Sequence, residues 1–384
     1  MSECAKQHLD TASRLARAGR IQECMGEYRR ALKLDPQSGG AHAGVAWCLH
    51  REERLEEAIS EYREALRLDP QSGVARHSLG CALAEAGQVD EGIDELRKTL
   101  ASSPERDDTH CALARIYACL GRVEDAMLEY GHALRINPQS AGARVALGDC
   151  LLRQGRLRDA ITEYREAVRV GADDHLSHAA LAWALGEAGE VEEARHEFGE
   201  AVRLCPDADG AHIHLGSLVW VEGRLAEAVA EYRKASRINP RNGVARYNVV
   251  LALRRMGRLD EAVYEARRGL ETRQRDLQMR RVLGWALYER ATVSKAANDW
   301  RAARDAYEQL LALEPGSSDV LRRLAVAEWR LGNRRGAFDR IRAAIVLWRA
   351  HRRNVRVRRT HEAGVDPNCA GPRTTTRTTP PATP

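Results

Sequence analysis

The stretch EYREALRLDPQSG, residues 61–73, is written again and again along this chain. Close variants begin at Glu27 (EYRRALKLDPQSG), Glu129 (EYGHALRINPQSA), Glu163 (EYREAVRVGADDH) and Glu231 (EYRKASRINPRNG), with weaker copies at Glu95 and Glu197. Every step between these starts is a multiple of 34 residues. A fixed period of this size marks one supersecondary unit that is copied and stacked.

Alignment on the residue after each phrase divides the chain into units 5–38, 39–72, 73–106, 107–140, 141–174, 175–208, 209–242 and 243–276. In unit 39–72, AHAGVAWCLHRE and LEEAISEYREALRL read as two helices joined by a short turn. The turn carries Gly19, Gly87, Gly121, Gly155, Gly189, Gly223 or Gly257, where positive φ costs glycine little. Unit 39–72 has Glu53 instead, so its turn forms less comfortably.

Small residues recur in the second helix (Ala58, Ala126, Ala160, Ala194, Ala228, Ala262) and in the first (Ala46, Gly80, Ala114, Gly148, Ala182, Gly216). These columns mark where the two helices cross closely. Four residues after the second-helix alanine stands a ring, such as Tyr62, Tyr130, Tyr164, Phe198 or Tyr232, and three later another alanine. Spacings of four and three share one helical face. On that reading Glu61, Arg63 and Glu64 meet solvent, and Pro70 ends the helix because proline cannot continue the ladder.

The series Leu147-Gly148, Leu151, Gly155, Ala160, Tyr164 and Ala167, with Pro138, Pro206 and Pro240 in a terminal column, resembles the tetratricopeptide repeat. The resemblance implies an all-α, right-handed α-solenoid of antiparallel helix pairs, a superhelix whose first helices line a groove for a peptide or helix from another protein. Residues 5–276 hold eight regular repeats. Two departures are Ala172 and Gln274 in the proline column, and Ala266 also stands in the ring column. Residues 277–351 read as two atypical repeats: 19 residues separate Gly284 from Ala303, against 12 from Gly148 to Ala160, so the ninth unit has longer helices. The tenth reads as a cap with a polar outer face. Residues 352–384 form a basic Thr/Pro-rich tail, expected to be disordered.

Composition supports helices: aromatics are 5% and charged residues 30%. No run of 18 apolar residues could cross a membrane, and the first residues lack a secretory pattern, so a cytoplasmic location is expected. The net charge of +5 belongs to the end of the chain, since 349–384 carries eight Arg and two acids. Arg349, Arg352, Arg353, Arg356, Arg358 and Arg359 could meet an anionic membrane or nucleic acid. The nine cysteines include no CxxC and read as packing thiols.

No phosphate loop, HExxH, GxSxG or EF-hand pattern occurs, so no enzyme activity, cofactor or small-molecule substrate is expected. His8, His42, His110, His178 and His212 share the fourth position of their units, where others carry Arg76, Arg144 and Arg246. One ligand per helix pair does not build a compact metal site, so none is expected there.

In tetratricopeptide proteins the second, fifth, sixth, ninth, twelfth and thirteenth positions face the groove. Those columns supply Trp47, Arg51, Arg115, Arg153, Trp183, His214, Trp220, Asn248 and Arg254 as candidate partner-binding residues. Tryptophan and arginine are enriched at binding hot spots. An asparagine ladder like that of O-linked N-acetylglucosamine transferases would need more than Asn248, and no adjacent units supply a carboxylate clamp. The function expected is a non-enzymatic scaffold that helps assemble a multiprotein complex. The alternatives are an accessory or targeting arm of such a glycosylation system, and membrane or nucleic-acid association through the Arg-rich tail.

Overall fold

The computed structural model describes residues 3–273 and 276–362, with side chains through Arg349. Among the described residues there are helices and no strands. The chain divides into two compact units, Met1–Pro206 and Asp207–Pro384.

The first unit holds α1 (Glu3–Arg17), α2 (Ile21–Leu34), α3 (Gly39–Arg51), α4 (Leu55–Leu68), α5 (Gly73–Glu85) and α6 (Val89–Ser102). It continues with α7 (Asp107–Cys119), α8 (Val123–Ile136), α9 (Ala141–Arg153), α10 (Leu157–Val170), α11 (His175–Ala188) and α12 (Val191–Leu204). Within the unit each helix packs on the next, so the array is a solenoid of antiparallel pairs.

The link between repeats is written into the quoted stretch. Asp69 Oδ1 accepts from the Gln71 N–H at 3.2 Å, and Ser72 caps α5 by accepting from the Ala75 N–H. Ser38 and Ser140 cap α3 and α9 in the same way. Serine is a strong N-cap because its hydroxyl satisfies an otherwise orphaned amide. Thus the DPQS end of the phrase both stops one helix and starts the next.

The turn inside each pair uses left-handed backbone. Gly19, Gly87, Gly121, Gly155, Gly189, Gly223 and Gly257 have φ between 71° and 85°, and Glu53 is forced to φ 62°. The crossing columns are as tight as their residue sizes require. Ala46, Ala58, Ala160 and Ala228 are fully buried. A Cβ on Gly148 would fall 2.5 Å from Tyr164 Cε1, and one on Gly92 would fall 2.7 Å from the Gly80 carbonyl oxygen. Tyr62, Tyr164 and Phe198 are buried in the ring column.

Glu61 departs from the solvent face expected for it. Glu61 is half-buried, and its Oε2 lies 2.6 Å from His42 Nδ1. The helical face next to the tyrosine tucks under the preceding first helix, so the carboxylate meets the fourth-position column.

The second unit holds α13 (Asp209–Val221), α14 (Leu225–Ile238), α15 (Gly243–Arg255), α16 (Leu259–Thr272), α17 (Leu277–Ser294), α18 (Ala297–Leu313), α19 (Ser318–Arg330) and α20 (Arg334–Glu362). α17 and α18 have 18 and 17 residues, against 13 and 14 in α15 and α16. The extra turns bring Tyr288 edge-on to both Trp300 and Tyr307. Ala266 is fully buried in the ring column of α16, and one turn further along a Cβ on Gly269 would fall 2.9 Å from Met279. Gln274 lies outside the described residues.

The expected polar outer face of the last pair is not there. α20 leaves Phe338 59%, Val346 65% and Trp348 49% exposed, with Ile341 and Ile345 beside them. The steps 338, 341, 345 and 348 place four of these on one helical face, which no further repeat covers among the described residues. α20 also runs to Glu362, so the first part of the basic segment prolongs the last helix. The segment 363–384 lies outside the described residues.

Candidate binding face

First helices of successive repeats lie side by side: α3 with α5, α5 with α7, and α7 with α9. Their variable columns converge in the first unit. His77, Cys81, Asp108, Cys111, Arg115 and Tyr130 line an open cavity of about 450 Å³, closed at its far wall by Ala143 and Ala146. All but Tyr130 and Ala143 come from the second, fifth, sixth and ninth positions.

A polar chain runs across this cavity. Arg106 grips Asp108 through Nε at 3.0 Å and Nη2 at 2.6 Å, and holds its carboxyl down at about 2. Thr109 Oγ1 donates to Asp108 Oδ1 at 3.1 Å and lies 2.9 Å from His77 Nδ1. With the Thr109 hydroxyl hydrogen on Asp108, His77 Nδ1–H donates to Thr109 and Nε2 is left to accept from the Cys81 thiol, 3.7 Å away. The order Cys–His–Thr–Asp resembles a nucleophile relay, but the electrostatics oppose one. Burial pushes the Cys81 thiol up to about 11 and the His77 imidazole below its ordinary value. A neutral thiol beside a neutral imidazole is a weak nucleophile and a serviceable pair of hydrogen-bonding groups.

The nine residues expected to bind a partner fall into distinct classes. In the first unit Arg115 is exposed, with its nearest ion pair, to Glu85, stretched to 3.8 Å. Arg51 is exposed at the end of α3. Trp183 is 39% exposed on α11. Trp47 instead packs on the core around Val45, Leu49 and Tyr62. Arg153 donates Nη1 to the Ala118 carbonyl at 2.7 Å and so ties down the end of α7.

In the second unit His214 is exposed on α13. Trp220 packs on the core beneath the Arg255 guanidinium, 5.5 Å from its ring. Arg254 pairs bidentately with Glu289 and stacks over Trp285. Asn248 helps line a second cavity of about 750 Å³ with Tyr247, Arg241 and Asp276. The structure therefore brings Arg115 into one cavity and Asn248 into another, and uses Trp47, Arg153, Trp220 and Arg254 to hold repeats together.

His77, Asp108, Cys111 and Tyr130 were missed by the sequence reading. Cys81 stood in the ninth column, yet small polar residues carry no hot-spot signal when columns are judged singly. The fifth-column residues His77 and Cys111 were the available clue.

The fourth-position column also has a structural role. His42, His110 and His178 each face a second-helix glutamate through Nδ1 at 2.6 Å and a linker carbonyl through Nε2 at 3.1–3.3 Å. Arg76 and Arg144 make the same two contacts, to Glu95 and the Pro70 carbonyl and to Glu163 and the Pro138 carbonyl. The column latches first helix, second helix and linker.

The comparisons with known proteins agree with this architecture. A tetratricopeptide repeat model matches residues 9–73, 179–243 and 288–350, together half of the chain, and a second one matches 120–184. The chain belongs to the tetratricopeptide repeat family. A model described as a bacterial transcriptional activator domain matches 64–142, part of the same array. No curated protein sequence matches this tetratricopeptide protein. Among solved structures, a human IFIT1 dimer with PPP-AAAA aligns at 22% identity and a TM-score of 0.52, covering 81% of this chain and 73% of that one. A tetratricopeptide repeat protein from Parabacteroides merdae aligns at 13% identity and a TM-score of 0.50, covering 66% of this chain and all of the other. At these identities the likeness is one of fold.

Proposed function

We propose that this tetratricopeptide protein is a non-enzymatic, cytoplasmic scaffold that holds a peptide or helical segment of another protein on its first helices and so helps assemble a larger complex. The observation that carries this reading is the cavity at His77, Cys81 and Arg115. There the columns that vary between repeats converge, while the repeated columns are consumed by packing. Arg106 neutralises Asp108, so Arg115 is the dominant exposed charge and favours a partner carboxylate beside a small apolar group.

A displayed random-peptide library, panned against the full chain, tests this. Enriched peptides should lose at least tenfold in affinity on Arg115→Glu, with helical content unchanged, and Cys81→Leu should weaken them by filling the cavity. Peptides indifferent to both substitutions would sink the assignment. The glycosylation-arm alternative has no arrangement behind it, because Asn248 alone occupies the sixth column where a ladder would stand.

A second reading rests on α20. Its exposed Phe338, Ile341, Ile345 and Trp348 continue into a segment whose sequence supplies Arg349, Arg352, Arg353, Arg356, Arg358 and Arg359. The side chains beyond Arg349 lie outside those described. An apolar helix face joined to arginines suits an anionic membrane surface better than a nucleic acid, which offers no hydrocarbon to the rings. No helix among the described residues is long and apolar enough to cross a membrane.

A further inference from the structure

We propose that His110, Glu129 and His132 form a binding site for one divalent metal ion of the zinc, cobalt or nickel class. The three residues come from one helix pair. Their candidate ligand atoms all lie within 4.8 Å of one another, and they are the one such His/Cys/Asp/Glu group among the described residues. His110 is buried on α7, and Glu129 and His132 are half-buried, three apart on α8 and so on one face.

The comparison with sister repeats makes this trio unusual. Every regular repeat through 209–242 places a glutamate where Glu129 stands, and in each of them a fourth-position His or Arg contacts it. In three sisters the residue three positions on is a cation that closes on that glutamate: Arg30 on Glu27, Lys98 on Glu95 at 2.7 Å, and Lys234 on Glu231 at 2.8 Å. In the repeat 107–140 that position is His132, which makes no hydrogen bond or ion pair among the described residues. Its ring stands 5.2 Å from the His110 ring, edge to face. A bound cation would supply the positive charge that a sister's lysine supplies.

The dimensions suit a small ion. A tetrahedral ion with ligand bonds near 2.0–2.2 Å separates its ligand atoms by about 3.3 Å. The His110 Nδ1 to Glu129 Oε2 distance is now 2.6 Å, so these two must open slightly while His132 closes in. The proton between them leaves on metal binding. Nε2 of His110 points at the Pro104 carbonyl at 3.2 Å, and that bond fixes the ring with Nδ1 turned to the metal. Two imidazoles and a carboxylate select borderline divalent ions over Mg²⁺ and Ca²⁺. His110 and His132 border an open cavity with Glu105 and Arg135 at its rim, which leaves a coordination position for water or a partner's side chain.

The test uses the full chain without an affinity tag, stripped with chelator and titrated with Co²⁺ and Zn²⁺. The expected result is one equivalent bound as a tetrahedral cobalt spectrum without a thiolate-to-cobalt charge-transfer band, and a higher melting temperature with Zn²⁺. His132→Gln should weaken that equivalent at least tenfold. His132→Lys, which copies the sister repeats and keeps the fold, should abolish it. His196→Gln, beside the comparable His178–Glu197 pair, should leave it unchanged. The inference is overturned by a folded wild type that binds no equivalent, by a thiolate spectrum, or by unchanged binding in His132→Lys.

Discussion

At the scale of single residues, the repeat shows its rules where it breaks them. Glu53 occupies a left-handed turn position that glycine fills in the other regular repeats. A side chain there costs about 1–2 kcal/mol, partly offset because glycine is freer in the unfolded chain. Glu53→Gly is therefore expected to stabilise the array by about 1 kcal/mol, read as a raised urea midpoint. The converse holds at Gly92, whose added Cβ would press on the Gly80 carbonyl oxygen and the Ala84 amide nitrogen, both backbone. Gly92→Ala should cost about 1–3 kcal/mol, seen as lost hydrogen-exchange protection concentrated in α5 and α6. The cysteines make a third case. Burial, reinforced by Cys24 3.5 Å away, pushes the Cys48 thiol up to about 12, and burial, helped by the Asp107 and Asp108 carboxylates, takes Cys111 to about 11. The unfolded chain releases these protons near 8.5. A raised folded value means that their contribution is intact below about pH 8.5 and is lost as pH climbs toward 11–12. Cys48→Val should flatten the fall in stability across that window. Alkylation mapped by mass spectrometry at neutral pH should label Cys4 and Cys119 well before Cys24, Cys48 and Cys150.

At the scale of elements, most of the helix pair could be read in advance because period and residue size both constrain it. The crossing of α9 and α10 follows from Gly148 against Tyr164, and the turn after α7 from Gly121. The fourth-position column was legible as an alternation of His and Arg, but its purpose was not. Its partner glutamates are 19 residues away, and a single helical wheel assigns Glu61 to solvent. The same blind spot hid His132, since EYGHAL differs from EYREAL only at positions a wheel calls exterior. The latch carries its own prediction. His42→Gln leaves either the Glu61 carboxylate or the Pro36 carbonyl without its donor, for a loss of about 1 kcal/mol. His42→Arg can remake both contacts, as Arg76 does, and should be close to neutral in urea denaturation. Two equally destabilising substitutions would mean that the column only fills space.

At the scale of the whole molecule, the array is nearly balanced in charge and the imbalance is gathered beyond residue 348. The last pair escaped the sequence reading for a physical reason. Repeat columns report how a unit packs between two neighbours, and among the described residues α20 packs chiefly on α19. Positions that are core elsewhere become surface there, so Ile341, Ile345 and Trp348 face outward. Such a face is costly in water unless something covers it. If an anionic bilayer does so, the apolar rings and the arginines act together. The rings bury hydrocarbon, and each arginine near the surface adds about 1 kcal/mol that salt screens. The full chain should then co-sediment with phosphatidylserine-containing vesicles at low salt, release as salt rises, and ignore pure phosphatidylcholine. Ile345→Glu and Trp348→Glu should abolish the binding without altering helical content, because neither side chain is part of the core. Binding to RNA that survives both substitutions would show instead that the arginines act alone on phosphate, and the apolar face would then need a protein to cover it.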